Sequence, residues 1–373
     1  MHMTLSTSRD LLFPIYRPFL DEQEKKYVDE CLSSTWISSK GRFIPLFEKQ
    51  FADYVGVEFA TSVCNGTVAL HLALMVLGIQ PGDEVIVPTL TYIASINTIV
   101  QAGAKPVFVD SLESTWQMDP ADITRKITAR TKAIMAVHLY GQPCDMKAIV
   151  AICQKHSLLL IEDCAEAFGS YFDGKHVGTF GDIATFSFFG NKTITTGEGG
   201  MLTSKHANVH ELAYRLKTQG VSPEKTYWHE IAGFNYRMTN ICAAIGLAQL
   251  EKADKILAKK RQIAAWYNQH LNDLPLVTHQ EAENTKNSYW MYSILLTQSQ
   301  TRDHLGSFLL ENGIETRPFF YPAHHMPMYI KEGKDLPVAE NLSLRGMNLP
   351  SFPALSKQDV GQISQKIRDF FHS

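Results

Sequence analysis

Between residue 20 and about residue 205, short β-rich runs alternate with helical segments, and no other feature of this sequence restricts its fold so tightly. Apolar positions at helical spacing mark 22–32 and 43–54 as helices. Asn65-Gly66-Thr67 then opens a helix that is apolar over most of its surface and stops at Gly78, the pattern of a buried helix. EVIVP (84–88), PVFVD (106–110), AIMAVHL (133–139) and LLLIED (158–163) read as strands. Helices over 91–101, around 120–127 and over 145–156 fall between them. Strands separated in this way pair in parallel, so the expected fold is α/β, with a largely parallel sheet covered on both faces. Asp110, His138 and Asp163 end three of the strands, and the carboxyl ends of strands are where such sheets place their chemistry.

From 170 to 205 the pattern shortens to strands and turns, which predicts antiparallel pairing at one side of the sheet and a tight turn at Asp173-Gly174. Helix returns after 205, and 237–270 reads as containing one long helix. The expected division is a leader over 1–11, a large α/β domain over 12–250 and a small C-terminal α+β domain over 251–373.

A net charge of -3 argues against non-specific nucleic-acid binding, which needs a basic face. The six cysteines form no C-x-x-C pair, so no zinc or dithiol motif stands out and no metal site is expected. Neither a signal peptide nor an apolar run long enough to span a bilayer is legible, so a cytoplasmic enzyme without a membrane partner is expected.

Lys192 follows a strand of aromatic and β-branched residues and precedes a glycine-rich turn, in SFFGNKTITTGEGG. A lysine there is desolvated or ion-paired; either state suits a Schiff-base amine, and a structural ion pair reads equally well. Asp163 suits a carboxylate beneath a heteroaromatic nitrogen, or a helix cap. Gly66 and Thr67 resemble an anion-binding turn at a helix start, with Ser187 as a second hydroxyl, although a plain N-cap explains the same residues. Tyr92 can stack on a ring or sit in the core. Asn235 with Arg237, and Arg317 with His324 and His325, lie in aromatic-rich loops that suit a ligand site or simple packing.

In their order, NGTVAL, PTLTYIAS, IEDCAEAFGS, FFGNKTITTGEGG and NYRMTNICAAIGLAQL resemble the DegT/DnrJ/EryC1/StrS sugar aminotransferases over about residues 12–370. The resemblance implies the fold-type I (aspartate aminotransferase-like) architecture and pyridoxal 5′-phosphate, alternating with pyridoxamine 5′-phosphate. It makes Lys192 the covalent anchor and proton shuttle, and pairs Asp163 with the pyridine nitrogen. Glu166 is set near the cofactor's 3′-oxygen, where many relatives have Gln. Tyr92 stacks on the ring, and Gly66, Thr67 and Ser187 hold the phosphate with Asn235 of a neighbouring subunit, which implies a homodimer. Arg317, His324 and His325 fall to the substrate. Relatives acting as dehydratases carry histidine where this chain has Lys192, so transamination is expected. WISSKG, YWHE and NYRMTNICAAIGLAQLE are closest to members that transfer an amino group from L-glutamate to C4 of GDP-4-keto-6-deoxy-D-mannose for O-antigen or related polysaccharide. A UDP- or dTDP-linked keto sugar is the alternative, and a PLP-binding regulator the alternative outside enzymes.

Overall fold

The computed structural model describes residues 11–330 and 335–372, so most of the expected leader lies outside the described residues. The chain opens with α1 (Glu22–Ser34), α2 (Phe43–Val55), β1 (Phe59–Val63), α3 (Gly66–Val76), β2 (Glu84–Pro88) and α4 (Ala94–Gln101). It continues through β3 (Lys105–Val109), α5 (Pro120–Lys126), β4 (Thr131–Val137), α6 (Met146–His156) and β5 (Leu159–Asp163). A short hairpin, β6 (Tyr171–Phe172) and β7 (Lys175–His176), precedes β8 (Ile183–Ser187), β9 (Gly200–Ser204) and α7 (Ala207–Lys217). Then come α8 (Asn240–Glu251), α9 (Ala253–Leu271), β10 (Leu276–Thr278), β11 (Thr285–Lys286), β12 (Tyr292–Leu296) and α10 (Ser299–Glu311). The chain closes with β13 (Arg317–Pro318), α11 (Pro337–Arg345), β14 (Gly346–Leu349) and α12 (Lys357–His372).

Seven strands form the main sheet in the order β1-β9-β8-β5-β4-β2-β3. Pairing is parallel from β3 across to β8, and β9 runs antiparallel to both β8 and β1. The antiparallel element expected near one side of the sheet is therefore β9, one strand in from the edge. The hairpin at 171–176 leaves this sheet and pairs with β11 instead. Its turn is Asp173-Gly174, with φ of 47 and 73, the left-handed pair that matches the twist of two joined strands.

Helix α3 carries buried Ala69, Leu70, Leu72, Ala73 and Leu74, because it lies between the sheet and α4 and α7. On α2, Phe43, Phe47 and Phe51 recur every four residues and are fully buried. Phe51 meets Phe186 and Phe188 edge-on, at 5.0 and 5.4 Å between ring centroids. Burial of each such ring stabilises the fold by about 1.5–3 kcal/mol, which anchors β8 and the loop that follows it.

The structure differs from the sequence reading over 237–270, where two helices replace one. The break is at Lys252 (φ -116, ψ 13), whose Nζ reaches Asp21 Oδ1 and Glu24 Oε1, both at 2.7 Å. The two helices serve different cores: α8 packs on α1 and α2, and α9 on α12. A straight helix cannot present both apolar stripes to those partners, so the direction changes between them. Beyond the break, β10-β12-β14-β13 form a second, antiparallel sheet. Its core includes Tyr267, Tyr292, Leu309 and Ile363.

Candidate active site

The carboxyl ends of β2, β4, β5 and β8 and the start of α3 surround a cavity of about 620 Å³, closed on the far side by residues from β13 and β14. Asp163, the last residue of β5, is buried on its floor. Its Oδ2 accepts a 2.7 Å hydrogen bond from Ser95 Oγ, and its Oδ1 accepts the Ala165 N–H at 3.1 Å. Burial raises the Asp163 pKa, and those two donors oppose the rise.

Lys192 enters through a turn in which its N–H donates to Phe189 O at 2.9 Å. Its Nζ stands 3.9 Å from the centre of the Trp290 ring and 3.8 Å from Glu166 Oε1. Burial lowers the pKa of this amine, while Glu166 and Asp163 pull it back. Trp290 is fixed by its indole N–H, which donates to Asn191 O at 2.7 Å. The Tyr16 hydroxyl donates to Lys192 O at 2.7 Å. The lysine is thus held from both sides by parts of the chain far apart in sequence.

Glu166 accepts the Tyr140 N–H on Oε2 at 2.9 Å. Tyr140 has φ 54 and Gly141 has φ 94, so two successive left-handed residues turn that N–H inward. A Cβ on Gly141 would lie 2.6 Å from Asn287 Oδ1, so a side chain has no room there. Burial pushes the Glu166 carboxyl up to about 7, against the pull of Lys192.

At the opposite end α3 points its amino terminus at the cavity. Asn65 Oδ1 caps the Val68 N–H at 2.9 Å, and the Gly66 and Thr67 amides open the helix beside Ser187. A Cβ at Gly66 would come within 2.7 Å of Ser187 Cβ, so glycine is what lets the helix start approach β8 this closely. Free N–H groups, the helix dipole and two hydroxyls make this end a seat for a phosphate. With a buried carboxylate for a ring nitrogen and an amine between them, the donor set has the chemistry that pyridoxal phosphate requires.

Tyr92 lines the cavity with its ring 5.8 Å from that of Phe320. Arg317 also lines it, with Nη2 3.7 Å from Glu315 Oε1. Asn235 does not face the cavity of its own chain; its Oδ1 accepts from Arg237 Nε at 3.0 Å and from Nη2 at 2.9 Å. His324 and His325, expected against substrate, are not brought into the cavity either. The buried His324 ring is drawn away by Thr89 Oγ1 (2.7 Å from Nδ1) and Glu340 Oε1 (3.0 Å from Nε2). His325 Nε2 lies 3.5 Å from the same Glu340 oxygen.

Three contributors escaped the sequence reading. Ser95 lies inside the quoted segment PTLTYIAS, at the start of α4 where a serine facing a strand end carries a local signal. Trp290 and Tyr140 carry none, because their roles depend on contacts about 100 and 26 residues away. Behind Asp163, on the other face of β5, a buried His138–Glu162 pair lies 3.2 Å apart. Glu162 also accepts the N–H groups of Gly178, Phe180 and Gly181. This network ties the floor of the site to the turn before β8.

A mostly parallel seven-stranded sheet with a buried carboxylate, a desolvated lysine and a helix-start anion seat defines a class, the fold-type I enzymes. Residues 18–368 match the DegT/DnrJ/EryC1/StrS aminotransferase family, to which the chain belongs. It is 56% identical over 358 residues to a GDP-perosamine synthase of Escherichia coli O157:H7, covering 96% of this chain and 98% of that protein. It is 52% identical to a GDP-perosamine synthase of Vibrio cholerae, over 97% of this chain and 100% of the relative. Among solved structures, the aminotransferase TlmJ from Streptoalloteichus hindustanus superposes with a TM-score of 0.93 at 31% identity, covering 97% and 99% of the two chains.

Proposed function

We propose that this enzyme transfers the amino group of L-glutamate to C4 of GDP-4-keto-6-deoxy-D-mannose, giving GDP-perosamine and 2-oxoglutarate, with pyridoxal 5′-phosphate bound at Lys192. The observation that carries the chemistry is Lys192 and Asp163 facing one cavity whose far end is the α3 amino terminus. Identity of more than half over nearly the whole length of the Escherichia coli and Vibrio cholerae proteins supports the sugar nucleotide.

The bound cofactor supplies an electron sink for the carbon that loses its proton. Asp163, buried and held by Ser95, keeps a proton on the ring nitrogen. Gly66, Thr67 and Ser187 would hold the phosphate. Tyr92, which lines the cavity, would pack against the ring. The Lys192 amine would accept and return the proton at the reacting carbon from a fixed position. Arg317 is, with Lys192, one of two cationic side chains among the described residues lining the cavity, and it receives the anionic part of a substrate.

The working unit in this reading is a homodimer. Residues 218–235 form an arm on which Tyr227 is 92% and Trp228 52% exposed, apolar surface that suits a second copy and carries Asn235 to the neighbour's phosphate seat. The large domain then ends at the α8–α9 break, and the smaller unit beyond it closes the cavity. No helix among the described residues is long and apolar enough to cross a membrane.

The test is incubation of purified protein with pyridoxal phosphate, L-glutamate and GDP-4-keto-6-deoxy-D-mannose, read by mass spectrometry. An amino-sugar nucleotide with equimolar 2-oxoglutarate is expected. Conversion of glutamate without any amino sugar would overturn the GDP-sugar assignment and point to UDP- or dTDP-linked keto sugars.

A further inference from the structure

Two ionisable groups, the buried Glu166 and the half-buried Lys192, face one another beside the cavity, with Glu166 Oε1 3.8 Å from Lys192 Nζ. The other carboxylate oxygen is already engaged, since Oε2 accepts the Tyr140 N–H at 2.9 Å. A proton bound to Glu166 therefore sits on Oε1, the oxygen that faces the amine. The Tyr140 hydroxyl is occupied elsewhere, accepting the Phe320 N–H at 3.0 Å. On its other side Lys192 Nζ meets the Trp290 ring at 3.9 Å, a face that attracts an ammonium and offers no basic atom to take its proton.

We propose that Glu166 is the proton partner of Lys192, taking a proton from the ammonium onto Oε1 to leave a neutral amine and handing it back when the lysine must act as an acid. The inference rests on the reading of Lys192 as the reactive amine. In the step, one N–H bond breaks and one O–H bond forms. The pair passes from carboxylate and ammonium to carboxylic acid and amine, so its net charge is unchanged and no further reactant is needed.

The surroundings make such a transfer inexpensive. Burial acts on both groups in opposite senses, pushing Glu166 up to about 7 and lowering Lys192, so their proton affinities converge. The other charged groups facing the pair are Asp163 at the end of β5, with His138 behind it, and Glu198 and Arg317 at the cavity wall. Asp163 holds positive charge on Lys192 as Glu166 does, yet its oxygens are taken by Ser95 and Ala165. Among the described residues Glu166 alone forms an ion pair with Lys192 Nζ.

Glu166→Gln separates proton exchange from architecture, because the carboxamide oxygen still accepts the Tyr140 N–H. The full-length protein, freed of cofactor, is acetylated competitively over a range of pH, and the peptide carrying Lys192 is quantified by mass spectrometry. The apparent pKa of Lys192 is expected to fall by about one to three units in Glu166→Gln, the effect of losing an opposite charge at this range. In the wild type, a carboxylic-acid stretch is expected in the infrared spectrum that titrates in the neutral range and is missing from the variant. An unchanged or raised Lys192 pKa would overturn the proposal, and so would a wild-type spectrum without that stretch. The infrared titration of the wild type decides alone if the variant does not fold. Failure of the protein to capture pyridoxal phosphate, with the Lys192 shift present, would sink the functional reading and the catalytic use of the pair, and leave only the proton sharing between Glu166 and Lys192.

Discussion

Ser95 Oγ donates a 2.7 Å hydrogen bond to Asp163 Oδ2, joining the start of α4 to the end of β5. The contact holds the carboxylate in one orientation and partly offsets the cost of burying it. Ser95→Ala is expected to weaken cofactor binding by about ten- to a hundredfold, the worth of one hydrogen bond to a charged group. Asp163→Asn removes the charge as well and is expected to lower kcat by about 10³-fold or more while the protein stays folded. Cofactor titration by absorbance, with single-turnover rates on glutamate, measures both.

In the proposed reaction, Lys192→Ala removes the covalent anchor and the acid/base together. Loss of general acid/base catalysis alone costs about 10²–10⁴-fold, so turnover is expected to fall by at least that much. Borohydride reduction followed by peptide mass spectrometry should find the cofactor on Lys192 in the wild type and on no residue of the variant. A labelled lysine elsewhere would refute the assignment.

Gly66→Ala places a methyl group 2.7 Å from Ser187 Cβ. Relief requires the start of α3 to move away from β8, which would open the proposed phosphate seat. Strain of this kind costs about 1–3 kcal/mol, and it is expected to appear mainly as weaker retention of the cofactor. Equilibrium dialysis against pyridoxal phosphate tests this; retention equal to wild type would mean that the seat is elsewhere.

Lys260 on α9 is fully buried, with Nζ donating to Ser351 O at 3.0 Å. Burial lowers its pKa to about 7 from 10.5. The unfolded chain therefore binds a proton that the folded chain rejects between those values, so this group's contribution to stability grows as pH rises from about 7 towards 10.5. Lys260→Met removes that dependence at the loss of one hydrogen bond. The variant is expected to be more stable than wild type near neutral pH by on the order of 2 kcal/mol, with the gap narrowing in alkali. Urea unfolding at neutral and alkaline pH checks the sign.

Much of this site is legible because its residues end local patterns. Asp163 closes an apolar run, Gly66 opens a helix, and Lys192 sits between a strand and a glycine turn. Periodicity alone also delivers β2 as EVIVP and most helices of the first half. It fails at 237–270, since apolar spacing runs on through Lys252 and only the separate partners of α8 and α9 reveal the break. The family resemblance assigned His324 to the substrate, and its ring does not line the cavity of this chain. Thr89 and Glu340, lying 235 and 16 residues away, turn that ring from the cavity.

The sequence by itself determined the parallel α/β architecture and the residues able to carry charge at strand ends, because hydrophobic period and turn chemistry act over a few neighbours. Only the tertiary structure decided how those charges behave. Whether Lys192 and Glu166 are solvated or face each other at 3.8 Å depends on Trp290, Tyr16 and Tyr140 converging from distant segments. Desolvation is a property of everything packed around a group, and no local pattern encodes it.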